Sequence, residues 1–102
     1  MIIAPSGDVD VSALPSLQSS FDRALLSANA GVVLDLSAVV SLDSMGLSLI
    51  EAHARQCEQA RCPFSIAAPD IGVRRHLFGT RVDDLVCADL RSALSALETV
   101  GT

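Results

Sequence analysis

Residues 31–47 read GVVLDLSAVVSLDSMGL and contain the pattern that decides the fold. Residues 31–36 are almost continuously apolar, which is typical of a central strand buried on both faces of a sheet. Residues 37–42 are predicted to continue as a loop or a short extension. A helix is predicted from about residue 44 to residue 60, because apolar residues recur there on one stripe at helical spacing. The stretch therefore predicts a buried strand joined by a polar turn to an amphipathic helix.

The rest of the chain alternates in the same way between strand-like runs and amphipathic helices. The other predicted strands are residues 7–11, 64–68 and 85–88. The first helix is predicted to start with Ser12 as its cap and to stop at Asn29-Ala30-Gly31. A short helix is predicted to open at Asp70 and end at Gly79, and a last one to start near Leu90. This order predicts an α/β fold with a largely parallel sheet, and 102 residues is the length of a single domain, 1–102.

Charge and hydropathy exclude two classes of partner. The net charge is −5, and the seven basic residues are all arginines scattered along the chain. Nucleic-acid binding needs a concentrated basic patch, so none is predicted. No uncharged run exceeds 11 residues, which is too short to span a bilayer. The first residues also lack the pattern of a signal peptide, so a cytoplasmic protein is predicted.

The three cysteines fit a reducing compartment. An odd number without a Cys-x-x-Cys pair does not indicate a disulfide framework. Cys57 and Cys87 fall at apolar positions and are predicted to be core thiols. Cys62 precedes a proline in a loop and is predicted to be the most accessible of the three.

Catalytic and metal-binding patterns are weak. Ser44 follows a strand but lacks the glycine two residues before it that a nucleophile elbow requires. The two histidines, His53 and His76, lie in predicted helices away from Ser44 in sequence. His53 and Cys57 are four residues apart and supply only half of a metal site. The sequence therefore predicts neither an enzyme nor a cofactor.

Two aspartates mark the end of the first predicted strand. Asp8 and Asp10 are two residues apart and should point to one face of it. They are candidates for contact with a partner, and an ordinary exposed strand face explains them equally well. The adjacent pair at residues 83 and 84 is predicted to be a solvated loop.

The turn after the central strand is the remaining candidate site. Asp43 precedes Ser44 at a helix start, where unpaired amides carry partial positive charge. Gly46 allows the backbone to approach its neighbours closely. From spacing alone, Asp43 or Ser44 is most simply a helix cap. The pair Ser48 and Glu51 has the spacing of a capping box and could start the helix later.

Several stretches together resemble one family. They are Gly7-Asp-Val-Asp10, Val32-Val-Leu-Asp-Leu36, Ser41-Leu-Asp-Ser-Met-Gly-Leu47, Ile66-Ala-Ala-Pro69 and Leu77-Phe78-Gly79. The chain resembles the STAS domain family, the anti-sigma factor antagonists of bacteria, over essentially its whole length. The resemblance implies a STAS-like fold with a four- or five-stranded mixed, mostly parallel sheet and about four helices.

The resemblance also implies a regulated binding module. In this family the unphosphorylated antagonist binds an anti-sigma factor, often a Ser/Thr kinase, and frees a sigma factor to direct transcription. Ser44 matches the position that is phosphorylated, and Asp43 matches the acid that precedes it. Asp10 matches the acid near the partner-binding surface. The partner-binding residues are thus expected to be Asp8, Asp10, Asp43, Met45 and Gly46.

Two departures from the family pattern bear on function. Met45 stands where the family often has a second serine, and it could add apolar contact area. A strand that usually precedes Gly7 is missing or reduced to residues 1–4. An uncovered sheet edge invites pairing, so a tendency to form a weak homodimer is expected.

Two other functions remain open at this point. One is a subunit resembling the STAS component of lipid-transport ABC systems, which would bind the transporter ATPase without any phosphate on Ser44. The other is nucleotide sensing by the domain itself, although no phosphate-binding loop supports it.

Overall fold

The computed structural model describes residues 1–27 and 31–100, and within them strands and helices alternate as predicted. The strands are β1 (Ile2–Ile3), β2 (Gly7–Val9), β3 (Val32–Asp35), β4 (Val39–Leu42), β5 (Phe64–Ala67) and β6 (Val86–Cys87). The helices are α1 (Leu14–Ser27), α2 (Ser44–Gln59), α3 (Ile71–Leu77) and α4 (Leu90–Val100). A short 3-10 helix, Asp83–Leu85, leads into β6.

The strands form a four-stranded sheet in the order β1-β3-β5-β6 and a two-stranded sheet of β2 and β4. Each of the four pairings in the described residues is parallel. Ile2 pairs with Val33, and Val9 pairs with Leu42. The difference between the numbers of the two paired residues is nearly the same in both cases. The strands β1 and β2 therefore act as two halves of one interrupted strand beside β3 and β4. The predicted α/β fold with a mostly parallel sheet is confirmed, and the N-terminal strand is present in reduced form as β1.

The strand β4 corrects the expectation of a loop or a short extension at residues 37–42. Val39 and Leu42 are buried in the core, while Val40 and Ser41 between them are exposed. The order along the strand is buried, exposed, exposed, buried, which does not alternate with period two. Periodicity alone therefore did not predict a strand here. Pairing with β2, distant in sequence, makes the segment extended.

Helix α1 begins at Leu14, later than the predicted cap at Ser12 implied. Ser12 instead donates both its backbone N–H (3.0 Å) and its hydroxyl (2.6 Å) to the carboxylate of Asp10. The first strand accordingly ends at Val9 rather than at residue 11. The predicted stop of this helix at Asn29-Ala30-Gly31 falls mainly on residues 28–30, outside the described residues.

The predicted cap of α3 is confirmed. The carboxylate of Asp70 accepts hydrogen bonds from the backbone N–H groups of Gly72 (2.7 Å) and Val73 (3.2 Å). The helix ends at Leu77, two residues before the glycine that was expected to end it.

The core lies on both faces of the central strands. On one face, large side chains from α1, α2 and α3 pack against the sheet, including those of Phe21, Ile50 and Leu77. On the other face, α4 covers a smaller cluster of Val33, Ala67 and Ala93. Burial on both faces explains the continuous apolar run at residues 31–36, and the prediction of a central strand there is confirmed. Within the described part of the chain, no helix has the length and apolar character needed to cross a membrane.

Candidate functional site

The carboxyl ends of β2 and β4 lie side by side and lead into the candidate site. Val9 pairs with Leu42, and the backbone N–H of Asp43 donates to the carbonyl of Val9 at 3.2 Å. Asp10 and Asp43 therefore follow the ends of two neighbouring parallel strands. The topology brings together two sequence stretches that are more than thirty residues apart.

Asp43 caps helix α2. Its side-chain oxygen accepts the backbone N–H of Gly46 at 2.8 Å, and its carbonyl accepts the N–H of Leu47 at 3.0 Å. The capping interpretation is thus confirmed for Asp43, and the later start at Ser48 is wrong. Ser44 is the first helical residue and is exposed, so its hydroxyl is available to another molecule.

Gly46 is buried where α2 packs closely on the strand ends. A Cβ atom at this position would lie 2.8 Å from Cγ1 of Val9 and 2.9 Å from Cδ1 of Leu42. Real Cβ atoms essentially never approach other atoms so closely. The expectation that Gly46 allows close approach agrees with this geometry. Its contribution is to hold the first turn of α2, and with it Ser44, against β2 and β4.

The two aspartates of the first strand have different partners. Asp8 is exposed and accepts the hydroxyl of Ser41 at 2.6 Å, which links β2 to β4. Asp10 lies beyond the strand and accepts both bonds from Ser12 described above. The bond from the hydroxyl of Ser12 has the larger effect and that from its backbone N–H the smaller. Together they hold the pKa of the Asp10 carboxyl below its usual value. Asp10 is therefore a charged group fixed beside the Asp43 turn.

Comparison with known proteins decides the family. A sequence model described as the STAS domain matches residues 1–97. The chain belongs to the STAS domain family. Two solved structures with the same fold are anti-sigma factor antagonists. A search of curated proteins returned no significant match to this STAS chain.

The first of these structures is an anti-sigma factor antagonist from Mycobacterium paratuberculosis. It has a TM-score of 0.85 and 26% sequence identity, over 95% of this chain and 84% of that chain. The second is the anti-sigma factor antagonist SpoIIAA in its unphosphorylated form, with a TM-score of 0.69 and 18% identity. That match covers 98% of this chain and 87% of that chain, and at this identity it shows the fold alone.

Two exposed apolar side chains, those of Val11 and Val40, were not anticipated from the sequence. Val11, Val40 and Met45 have exposed fractions of 64%, 76% and 53%. Val11 follows the end of β2, Val40 lies on β4, and Met45 follows Ser44. Only the position of Met45 drew attention in the sequence, because exposed valines within strand-like runs look like core residues. We call Asp10, Val11, Ser44 and Met45, which follow the carboxyl ends of β2 and β4, the turn surface.

The two histidines lie in different environments, His53 in the core and His76 exposed on α3. His53 is buried, with its ring stacked on Phe21 (centroids 4.0 Å apart) and edge-on to Phe64 (4.9 Å). Its Nε2 lies 3.3 Å from the sulfur of Cys57, so the two side chains lie on one face of α2. Burial lowers the pKa of His53 to about 4. Among the described residues, no group of three His, Cys, Asp or Glu could hold a metal ion.

Proposed function

We propose that this STAS domain is an anti-sigma factor antagonist that is switched by phosphorylation of Ser44. In the unphosphorylated state it binds an anti-sigma factor through the turn surface and so controls transcription that depends on a sigma factor. The observation that carries the proposal is the exposed hydroxyl of Ser44 at the first turn of α2, held by the Asp43 cap and by the buried Gly46. The proposal places the protein in the cytoplasm.

The fold should tolerate a phosphate on Ser44. A phosphate adds about −1.5 to −2 charges at neutral pH. The first turn of a helix offers backbone N–H groups without helical partners and the positive end of the helix dipole. Because Ser44 is exposed, the added group displaces no core side chain.

The same charge would oppose binding by the partner. Asp10 and Asp43 already place negative charge beside Ser44, and Met45 exposes apolar surface next to it. A partner surface complementary to a neutral hydroxyl and an apolar side chain would meet a dianion after phosphorylation. Desolvation of that dianion and repulsion from any acidic group of the partner would weaken the complex.

The partner we propose is an anti-sigma factor of the serine-kinase type. Such a partner would transfer the γ-phosphoryl group of ATP to Oγ of Ser44, with ADP as the leaving group and loss of the hydroxyl proton. The STAS domain would act as the substrate and supply no catalytic group. Asp43 and Asp8 would help to position the turn, Asp43 through Gly46 and Asp8 through Ser41.

Two substitutions at one position test the switch. Ser44→Ala should bind the anti-sigma factor with an affinity close to that of the wild-type protein, and Ser44→Asp should bind at least tenfold more weakly. The matched control is Ser48→Asp, which adds the same charge at an exposed position one turn further along α2 and should cause a smaller loss. Equal affinities of the alanine and aspartate variants would contradict the switch and would favour a constitutive binding role.

A further inference from the structure

The C-terminal end of α2 brings two cysteines together, far along the helix from the turn surface. Cys62 donates its backbone N–H to the carbonyl of Cys57 at 2.8 Å, and Arg61 donates to the carbonyl of Glu58 at 3.2 Å. Arg61 has a φ of 55°, the left-handed conformation that this Schellman ending requires. In such an ending, the side chains of the two residues joined by the longer bond commonly contact each other. Here those residues are both cysteines.

The two cysteines are joined by this backbone hydrogen bond and differ in their exposure. Cys57 is buried, and Cys62 is half-buried. Burial first, and then repulsion from an ionised Cys62 and a hydrogen bond with its side chain, raises the pKa of Cys57 to about 12. Both residues line one surface cleft of about 440 Å³ between α2 and the segment that contains Arg81 and Leu85. Because this cleft opens to solvent and Cys62 is half-buried, a small molecule has a route to this residue.

We propose that Cys57 and Cys62 form a reversible intramolecular disulfide when the protein meets a hydroperoxide. A disulfide needs Cα atoms about 4.4–6.8 Å apart. The direct backbone hydrogen bond between the two residues holds their main chains in contact. The bridge would fix one end of the helix that carries Ser44 at its other end, and its formation does not depend on any role of Ser44.

The chemistry assigns a different task to each sulfur. The thiolate of Cys62, the more accessible residue, attacks one oxygen of the peroxide bond, which breaks and leaves Cys62 as a sulfenic acid. The leaving oxygen takes up the proton that Cys62 had given to solvent and departs as an alcohol, or as water when the oxidant is hydrogen peroxide. The sulfur of Cys57 then attacks the sulfur of Cys62, so that the S–S bond forms and the S–O bond breaks. The departing hydroxide takes the proton of the Cys57 thiol and leaves as water. The two thiols are oxidised by two electrons, and the hydroperoxide is reduced by two.

The third cysteine provides a control within the same chain. Cys87 packs against the cluster of Val33, Ala67 and Ala93, on the opposite face of the sheet from Cys57. Cys87 is therefore distant in sequence from Cys57 and Cys62 and lies on the other face of the sheet from Cys57.

Tryptic mapping under non-reducing conditions tests the proposal directly. Trypsin cleaves after Arg55, Arg61 and Arg74, so Cys57 and Cys62 fall in separate peptides, residues 56–61 and 62–74. After treatment of the folded protein with hydrogen peroxide and blocking of remaining thiols, these two peptides should appear as one linked species. Reduction should separate them, and the intact protein should have lost the mass of two hydrogen atoms before digestion.

Matched variants make the result decisive. Cys87→Ser should still form the linked species, whereas Cys62→Ser should not, with circular dichroism confirming that both variants are folded. A linkage that includes the Cys87 peptide would contradict the proposal. So would a disulfide between two chains, or a sulfinic acid on Cys62 with Cys57 still reduced.

Discussion

Gly46 helps to position the turn surface because glycine has no side chain to keep α2 away from the strand ends. Helix α2 approaches the strand ends closely at this residue, where a Cβ atom would meet Val9 and Leu42. The sequence indicated a close approach because glycine stands in the first turn of a predicted helix. It did not indicate which strands would be approached, because the pairing of β2 with β4 joins segments distant in sequence.

We expect Gly46→Ala to destabilise the protein by about 1–2 kcal/mol, because the strain of an overpacked site exceeds the gain in helix propensity. Urea unfolding followed by circular dichroism measures the difference. The control is Ser48→Ala, an exposed position on the same helix, which should change stability by less than about 0.5 kcal/mol. Equal stability of Gly46→Ala and the wild-type protein would show that the strand ends can move apart without cost.

The buried His53 should make stability depend on pH. Its pKa is lowered from 6.5 to about 4 in the folded state, so the unfolded chain binds more protons in this window. The contribution of His53 to the free energy of unfolding should therefore be fully present above pH 6.5. It should decrease as the pH drops towards 4, by at most about 3 kcal/mol. The test is to measure the free energy of unfolding of both the wild-type protein and His53→Leu from pH 7 to about pH 4. The wild-type protein should lose stability over this range, and the variant should lose less.

A variant of the other histidine serves as the comparison. His76 is exposed on α3, so His76→Gln should keep the pH dependence of the wild-type protein. If His53→Leu and the wild-type protein lost stability in parallel, the protonation of His53 would not be the cause.

Among the elements, helix α2 is followed by an arginine at the position where glycine is favoured. Arg61 has a φ of 55°, a conformation that costs a residue with a side chain about 1–2 kcal/mol. We expect Arg61→Gly to stabilise the protein by about 1 kcal/mol in thermal or urea unfolding. Gln56→Gly, in the exposed helix interior, should destabilise it by about 1 kcal/mol. A loss of stability in both variants would mean that the side chain of Arg61 makes an important contact.

The sequence predicted elements well where one periodicity dominated. Residues 31–36 and the helix after Ser44 were predicted within one or two residues, because burial on both faces and a helical stripe are strong signals. The strand β4 was not, since Val40 and Ser41 interrupt its alternation. The start of α1 was also missed, because Ser12 bonds to Asp10 instead of capping the helix.

In the whole molecule, β1 forms one of the two edges of the larger sheet. Ile2 is half-exposed there, and a cleft of about 480 Å³ separates this edge from α1. Exposed strand edges pair with other strands. We propose that two copies associate weakly through β1, which is the homodimer that the sequence led us to expect.

Sedimentation measured over a range of concentrations tests this association. The wild-type protein should show a mass that rises with concentration. Ile2→Lys should remain monomeric because a charge on the edge opposes pairing. Leu26→Lys, at an exposed position on α1, should behave as the wild-type protein. A wild-type protein that stays monomeric at the highest concentration would remove β1 as an interface.

The switch that we propose is the loss of partner binding on phosphorylation of Ser44. Its most direct test is the affinity for the anti-sigma factor of two samples of the same chain, one unmodified and one phosphorylated only at Ser44, as verified by peptide mass. Calorimetric titration should show binding by the unmodified protein and a loss of affinity of about 100-fold or more on phosphorylation, which corresponds to about 3 kcal/mol. Equal affinities of the two samples would show that phosphorylation of Ser44 does not control binding.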